Sequence, residues 1–316
     1  MKNFGLIGSA GYIAPRHLNA IKETKNNLLA SYDVSDSVGI LDSYFPNSKF
    51  FTDFERFDRY VDSLRYKNKS EKIDFITVCS PNHLHDSHIR FSLKSGIDVI
   101  CEKPVTLNTW NLKKIIDLEK ETNRKVKTIL QLRYHEAIND LKRKIEKNDK
   151  KTHEVELTYI TSRGQWYFNS WKGNTSKSGG ISTNIGIHFF DILYYLFGNL
   201  IESEVYLKEK DKESGFLKLE NANVKWFLSI DQNDLKPLNL DQKMRTYRSI
   251  KVDGKEIEFS QNFDDLHTKC YEEILKGRGF GLNEALKSIE IVSTIRNAEI
   301  SRQRKNTHSL INKIAQ

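Results

Sequence analysis

Cysteine is scarce in this chain of 316 residues, with three copies (Cys79, Cys101 and Cys270), as are methionine with two and proline with five. An odd set of cysteines without paired spacing argues against a disulfide framework and a cysteine-based zinc site, so reduced thiols in a cytoplasmic protein are expected. No run of about 18 apolar residues occurs, which leaves no ordinary transmembrane helix. The start, Met1-Lys2-Asn3-Phe4-Gly5-Leu6-Ile7, enters a strand pattern instead of an apolar leader. A soluble, unexported protein without a membrane partner is expected. Concentrated charge is missing too: the formal net charge is +8, but the lysines from Lys142 to Lys151 alternate with acids as on a solvated helix face. No nucleic-acid partner is expected, and the surplus weakly favours an acidic small molecule.

The length predicts two domains, divided at 1–132 and 133–316. Short apolar runs at Phe4 to Ile7, Leu28 to Tyr32, Phe75 to Cys79, Asp98 to Cys101 and Thr128 to Gln131 alternate with helical stretches at 16–24, 53–64, 84–95 and 109–122. That is the pattern of a doubly wound parallel sheet, an α/β fold that binds its ligand at the carboxyl ends of the strands. After a charged helix at 134–146, strands are expected at 154–160, 202–208, 216–219, 223–230 and 249–259, with helices at 187–196, 264–275 and 283–296. Val252-Asp253-Gly254-Lys255 reads as a tight hairpin turn. The second domain is therefore expected to be α/β with an open, mainly antiparallel sheet.

Gly8-Ser9-Ala10-Gly11-Tyr12-Ile13-Ala14 follows the first strand and Pro15-Arg16-His17 opens a helix. It reads as a dinucleotide fingerprint with one extra residue between the first two glycines, so Gly8 and Gly11 let the backbone approach a pyrophosphate, with Tyr12 and Ile13 beside it. Asp33 ends the second strand, near the separation at which an acid binds the adenosine ribose, and would repel the phosphate of NADP; NAD is the expected cofactor, with Asp36 as a second candidate. Ser80, Asn82 and His85 follow the third strand, and Glu102, Lys103 and Gln131 follow the fourth and fifth; all are candidate cofactor contacts. His83, His85 and His88 lack a supporting carboxylate or cysteine set, so no metal is expected.

Lys103 and His188 are the candidate catalytic pair. A lysine in a partly desolvated cleft beside a nicotinamide would have a lowered pKa suited to proton handling. The glycine loop, Ser80-Pro81-Asn82 with His85, Glu102-Lys103-Pro104 and Gly186-x-His188-x-x-Asp191 together resemble the Gfo/Idh/MocA oxidoreductase family over nearly the whole chain. The resemblance implies an N-terminal Rossmann domain, a C-terminal α/β domain, and NAD(P)-dependent chemistry on sugar-like substrates. Asn184 stands where many members carry aspartate and cannot ionise, which leaves the proton to Lys103 and His188; which of the two removes it stays open.

A finer likeness is carried by Thr158 to Tyr167, Ser170-Trp171-Lys172-Gly173, Thr183-Asn184-Ile185-Gly186, Asp265 to Thr268 and Tyr271 to Leu275. These are similar to the branch of the family that acts as UDP-N-acetylglucosaminuronic acid 3-dehydrogenases of the WlbA/WbpB type. That likeness implies a UDP-sugar substrate oxidised at its 3-hydroxyl, a place in surface-polysaccharide biosynthesis, 2-oxoglutarate as an oxidant of NADH in some members, and a homo-tetramer. Such a substrate carries a carboxylate and a diphosphate, so Arg163, Lys172 and Arg133 are candidate anion contacts, with Trp166, Tyr167 and Trp171 beside them and Asn184 and His188 at the sugar. A dehydrogenase of another sugar or cyclitol, and a non-catalytic NAD sensor, are the competing readings.

Overall fold

The computed structural model describes residues 1–147, 152–238, 244–257 and 265–314. The chain divides into two compact units, Met1–Gln131 with Asp264–Leu286, and Leu132–Phe263 with Lys287–Gln316. Residues 264–286, expected in the second domain, instead return to the first unit.

In the first unit β1 (Asn3–Ile7), β2 (Asn27–Tyr32), β3 (Lys49–Phe51), β4 (Phe75–Val78), β5 (Asp98–Cys101) and β6 (Val126–Thr128) form a sheet in the order β3-β2-β1-β4-β5-β6. Every pairing is parallel. Such strands read as near-continuous apolar runs because helices cover both faces, and all five residues of β1 are buried. The helices are α1 (Ala14–Glu23), α2 (Ile40–Tyr44), α3 (Phe54–Leu64), α4 (His85–Lys94) and α5 (Thr109–Thr122). Strand order reverses between β1 and β4, the place where doubly wound sheets bind ligands. The short β3 and α2 escaped the sequence pattern. β6 stops at Thr128, short of the expected Gln131, because the Thr128 N–H turns to the carbonyl of Phe280 at 3.0 Å while Ile129 N–H closes on Cys101 O at 3.0 Å.

The second unit opens with α6 (Glu136–Glu146) and β7 (His153–Thr161), followed by α7 (Gln165–Asn169), α8 (Thr175–Ser178) and α9 (Ile187–Phe197). Strands β8 (Leu200–Lys208), β9 (Lys212–Leu219), β10 (Ala222–Ser229), β11 (Thr246–Val252) and β12 (Lys255–Ile257) join β7 in the order β12-β11-β7-β10-β9-β8. The sheet is mixed. β10 lies parallel to β7, whereas the other four pairings are antiparallel. Asp253 at φ 51° and Gly254 at φ 79° make the expected hairpin turn; the end of the expected strand 249–259 lies outside the described residues.

Three helices complete the described chain: α10 (Leu266–Leu275), α11 (Leu282–Asn297) and α12 (Ser309–Ile314). α10 belongs to the first unit and packs on α1. α12 sets Leu310 and Ile311 against Ile160, Phe227 and Leu235 of the second unit. Among the described residues no helix is long and apolar enough to cross a membrane.

Candidate active site

In the first unit the glycine loop is locked to the β4 end. Gly8 has φ 101°, and a Cβ there would lie 2.5 Å from the Ser80 nitrogen and 2.6 Å from the Cys79 carbonyl carbon, so only glycine fits. Gly11 N–H donates to Gly8 O at 3.0 Å, and Ala14 N–H donates to Gly11 O at 3.0 Å. α1 then begins without a side-chain cap and without an acid in its first turn. Its first amides form an anion-binding end of the kind that holds a pyrophosphate. Asp33 pins this loop: Oδ2 accepts from Ala10 N–H at 2.9 Å and Oδ1 from Ser35 N–H at 3.0 Å. Each oxygen keeps a second lone pair for a hydroxyl donor. Tyr12 is 85% exposed on the loop and Ile13 half-buried, while Asp36 is exposed.

The strand ends carry the other first-unit candidates. Ser80 Oγ lies 2.9 Å from His88 Nδ1, Asn82 opens the turn before α4, and both are buried. His85, expected at the cofactor, is spent on the fold instead. Its Nδ1 lies 2.7 Å from Pro104 O and its Nε2 2.7 Å from Ser80 O, so the ring sits between the backbone that follows Lys103 and the end of β4, the neutral form donating to one of the two carbonyls. Burial lowers its pKa, with those two carbonyls opposing the shift. Lys103 is half-buried and precedes a cis Pro104. Gln131 is buried with no protein donor for its Oε1, an acceptor suited to an amide-bearing ligand.

Sequence reasoning missed a cluster beneath these strand ends. Glu102 Oε1 lies 3.1 Å from His17 Nε2 and 2.9 Å from His267 Nε2, and all three are buried. The Glu102 side-chain oxygens are therefore engaged by protein groups. His17 Nδ1 meets the Tyr271 hydroxyl at 2.9 Å, which lies 2.8 Å from Thr77 Oγ1. The available signal was helical spacing: His17 shares a face with buried Ala14, Leu18 and Ile21, and His267 and Tyr271 lie four apart on the buried face of α10. A groove of about 520 Å³ lined by Lys2, Asp74, Ile97 and Asp98 sits at the amino ends of β1, β4 and β5, away from these groups.

In the second unit, Asn184 and His188 stand out because they alone in residues 181–193 are not fully buried. Residues Ser182–Gly186 form a π-helical turn that runs into α9, so the two side chains, four apart, share one face. Glu213 from β9 holds the start of this turn, its Oε2 accepting from Ser182 N–H at 3.1 Å. A Cβ at Gly186 would meet Leu228 Cδ1 at 2.6 Å and Phe190 Cε2 at 2.9 Å, so a larger residue there would displace those side chains. Asn184 Nδ2 donates to the Tyr167 hydroxyl at 2.8 Å. Tyr167, expected at the substrate, is 2% exposed and instead orients Asn184.

Lys172 Nζ lies 4.5 Å from the Trp171 ring centroid and 5.6 Å from that of the half-exposed Trp166. Burial lowers the Lys172 pKa and the Arg163 charge lowers it further. Two cations held in mutual repulsion form ground that an anion would relieve. Arg133, expected as a third anion contact, is corrected by the structure. It is buried and bidentate to Asp191, with Nε–Oδ2 at 2.9 Å and Nη2–Oδ1 at 2.7 Å, and its guanidinium lies 5.0 Å from the Tyr195 ring. Its charge is matched inside the unit, and the pair ties Arg133 to α9.

Comparison with known proteins agrees with this arrangement. Residues 2–129 match the Gfo/Idh/MocA oxidoreductase family, NAD-binding Rossmann fold, and residues 142–235 match that family's C-terminal α/β domain. The chain is 45% identical to the WlbA (WbpB) dehydrogenase from Thermus thermophilus, solved with NAD and UDP-GlcNAcA, over 98% of this chain and 99% of that one, with a TM-score of 0.93. A second structure of that enzyme, with NAD and alpha-ketoglutarate, gives 45% identity, the same coverage and a TM-score of 0.92. Glucose-6-phosphate 3-dehydrogenase of Bacillus subtilis (strain 168) is 26% identical over 211 residues, 62% of this chain and 54% of that protein. The chain thus spans about half the length of that curated relative. Both domain matches and the end-to-end likeness make the conclusion plain: this chain belongs to the Gfo/Idh/MocA oxidoreductase family.

Proposed function

We propose that this protein is an NAD-dependent dehydrogenase that oxidises the 3-hydroxyl of UDP-N-acetylglucosaminuronic acid to the 3-keto sugar, a step toward surface polysaccharides. The observation that carries the reading is the 45% identity, end to end, with a dehydrogenase solved with both NAD and UDP-GlcNAcA. The first unit fits the cofactor: a glycine cradle that a Cβ would fill, an uncapped α1 terminus, Asp33 for the ribose and the orphaned acceptor of Gln131. When bound, the nicotinamide accepts the hydride from the sugar carbon.

The remaining chemistry falls to side chains. One of Lys103 and His188 takes the hydroxyl proton as the hydride leaves to the nicotinamide, and Asn184, which does not ionise, orients the sugar. Arg163 and Lys172 face the carboxylate and diphosphate, while Trp166 and Trp171 supply aromatic faces to the rings. Reoxidation of NADH by 2-oxoglutarate is supported by the neighbour solved with alpha-ketoglutarate. A cytoplasmic homo-tetramer completes the proposal.

The test is mass-spectrometric product analysis with UDP-N-acetylglucosaminuronic acid and NAD, with and without 2-oxoglutarate. A 3-keto product is expected, with multiple turnovers only when 2-oxoglutarate is present. Lys103→Met and His188→Asn should each lower turnover by about 100-fold or more while NAD binding persists. No oxidation by protein that binds NAD, or full turnover in both variants, would overturn the assignment.

A further inference from the structure

We propose that the buried His17–Glu102–His267 cluster is a positioning device for Lys103, setting its backbone and the charge it feels, with half of the device supplied by the returning segment 264–286. This rests on the reading of Lys103 as a proton-handling residue. The geometry begins at Glu102, whose two oxygens are divided between tasks. Oε1 lies against His17 Nε2 and His267 Nε2, and Oε2 accepts from the Lys103 N–H at 3.2 Å. The carboxylate that fixes the lysine backbone is thus itself fixed by helices α1 and α10.

The hydrogen bonds have a consistent direction. With Tyr271 O–H donating to His17 Nδ1 and accepting from Thr77 O–H, His17 is left to donate through Nε2. His267 Nδ1 has no partner, so its ring presents Nε2–H to Glu102 and keeps a bare lone pair behind. Burial pushes the Glu102 pKa up, but donation from His17 and His267 outweighs it and holds the carboxyl well below its usual range.

The surrounding groups leave this anion unopposed by other buried charge of the same sign. Burial raises the thiols of Cys79, Cys101 and Cys270 and the phenol of Tyr271, so all four are neutral near pH 7. Burial likewise lowers His85 and His267, with Arg16 adding to the effect on His267. The carboxylate that accepts from the Lys103 N–H is thus a fixed negative charge against that residue, of the sign that favours an ammonium form. Glu102 therefore sets the pH at which Lys103 exchanges its proton. The same three side chains place ligand atoms within 4.8 Å of one another, as a metal site would. An ion would have to displace both hydrogen bonds to Oε1, so the proton-held arrangement is the one assigned.

The experiment uses the full chain with Glu102→Gln, which keeps the shape and removes the charge, and Tyr271→Phe, which removes only the hydroxyl behind His17. The pKa of Lys103 is read directly, without substrate, from the pH dependence of its acetylation rate by peptide mass spectrometry. In Glu102→Gln it should fall by about 1 unit, and in Tyr271→Phe it should fall by less. With NAD and UDP-N-acetylglucosaminuronic acid, the pH limb owed to Lys103 should move to lower pH in Glu102→Gln, and kcat on the plateau above that limb should drop about tenfold at nearly constant KM, because the amine is less basic and its backbone less firmly held.

An unchanged acetylation profile in the folded variants would overturn the proposal, as would stoichiometric bound metal in the purified protein that His17→Ala or His267→Ala releases. Should Glu102→Gln fail to fold, an unshifted profile in Tyr271→Phe overturns it as well. Full turnover in Lys103→Met would sink the reading of Lys103 instead. The two failures are thus told apart.

Discussion

Asp33 shows how one side chain can fix a loop from both of its oxygens. Its carboxylate holds Ala10 N–H at 2.9 Å and Ser35 N–H at 3.0 Å, and so shapes the glycine loop before any ligand arrives. Asp33→Ala should cost the loop two charge-assisted hydrogen bonds, about 1.5–3 kcal/mol each at most, and remove the anion that disfavours the NADP phosphate. NAD affinity should fall by tenfold or more while NADP affinity falls less, measured by titration calorimetry with both nucleotides; an unchanged preference would remove Asp33 from the site. At this scale the sequence was informative where structure follows chain order, as for the close backbone approach at Gly8. It was blind where the partner is remote. Arg133 and Asp191 are separated by 58 positions and His267 and Glu102 by 165, so nothing local distinguished a buried ion pair from an anion contact.

At the scale of elements, the stretch that bears Asn184 and His188 depends on a strand residue for its start. Gly179 and Gly180 both have φ 84°, which turns the chain sharply before Ser182 offers its N–H to Glu213. Burial raises the Glu213 pKa while bonds from Ser182 oppose it, so the carboxyl serves mainly as an acceptor. Glu213→Gln, which keeps an acceptor oxygen, should preserve stability to within about 1 kcal/mol and keep turnover. Glu213→Ala leaves a buried donor unpaired, costs about 1–3 kcal/mol, and should lower kcat without weakening NAD. Urea unfolding and steady-state kinetics on both variants check this; equal losses in the two would show that charge, not acceptance, matters. The helix 187–197 was legible from its apolar run, whereas the π turn was not, because its register is set by those glycines and by a carboxylate on β9. The start of β9 was hidden for the related reason that Glu213 and Ser214 are buried polar residues.

At the scale of the whole molecule, the alternation of strands and helices announced the first sheet, and its switch point predicted where the glycine loop and strand ends would meet. The return of 264–286 to that unit was not legible, since an amphipathic helix states that it has a buried face and not which unit buries it. Among the buried histidines, one in each unit is lowered far enough to couple that unit's stability to pH. Burial lowers His88 in the first unit and His308 in the second to about 4, His88 with further lowering by the charges of His85 and His83. Below pH 6.5 the unfolded chain takes up these protons before the folded one does. Their contribution is therefore complete above about pH 6.5 and is lost as pH falls toward 4, by up to about 3 kcal/mol each. The Glu102 carboxyl is also held below its usual range, by donation from His17 and His267 against burial, so its contribution is lost only below the ordinary carboxylate range and should follow theirs. Urea midpoints measured from pH 8 to 4 should decline in both units, Trp110 reporting the first and Trp166, Trp171 and Trp226 the second. His88→Asn should flatten the decline for the first unit alone and His308→Asn for the second. A decline unaltered by either substitution would place the acid sensitivity in the carboxylates rather than in these two rings.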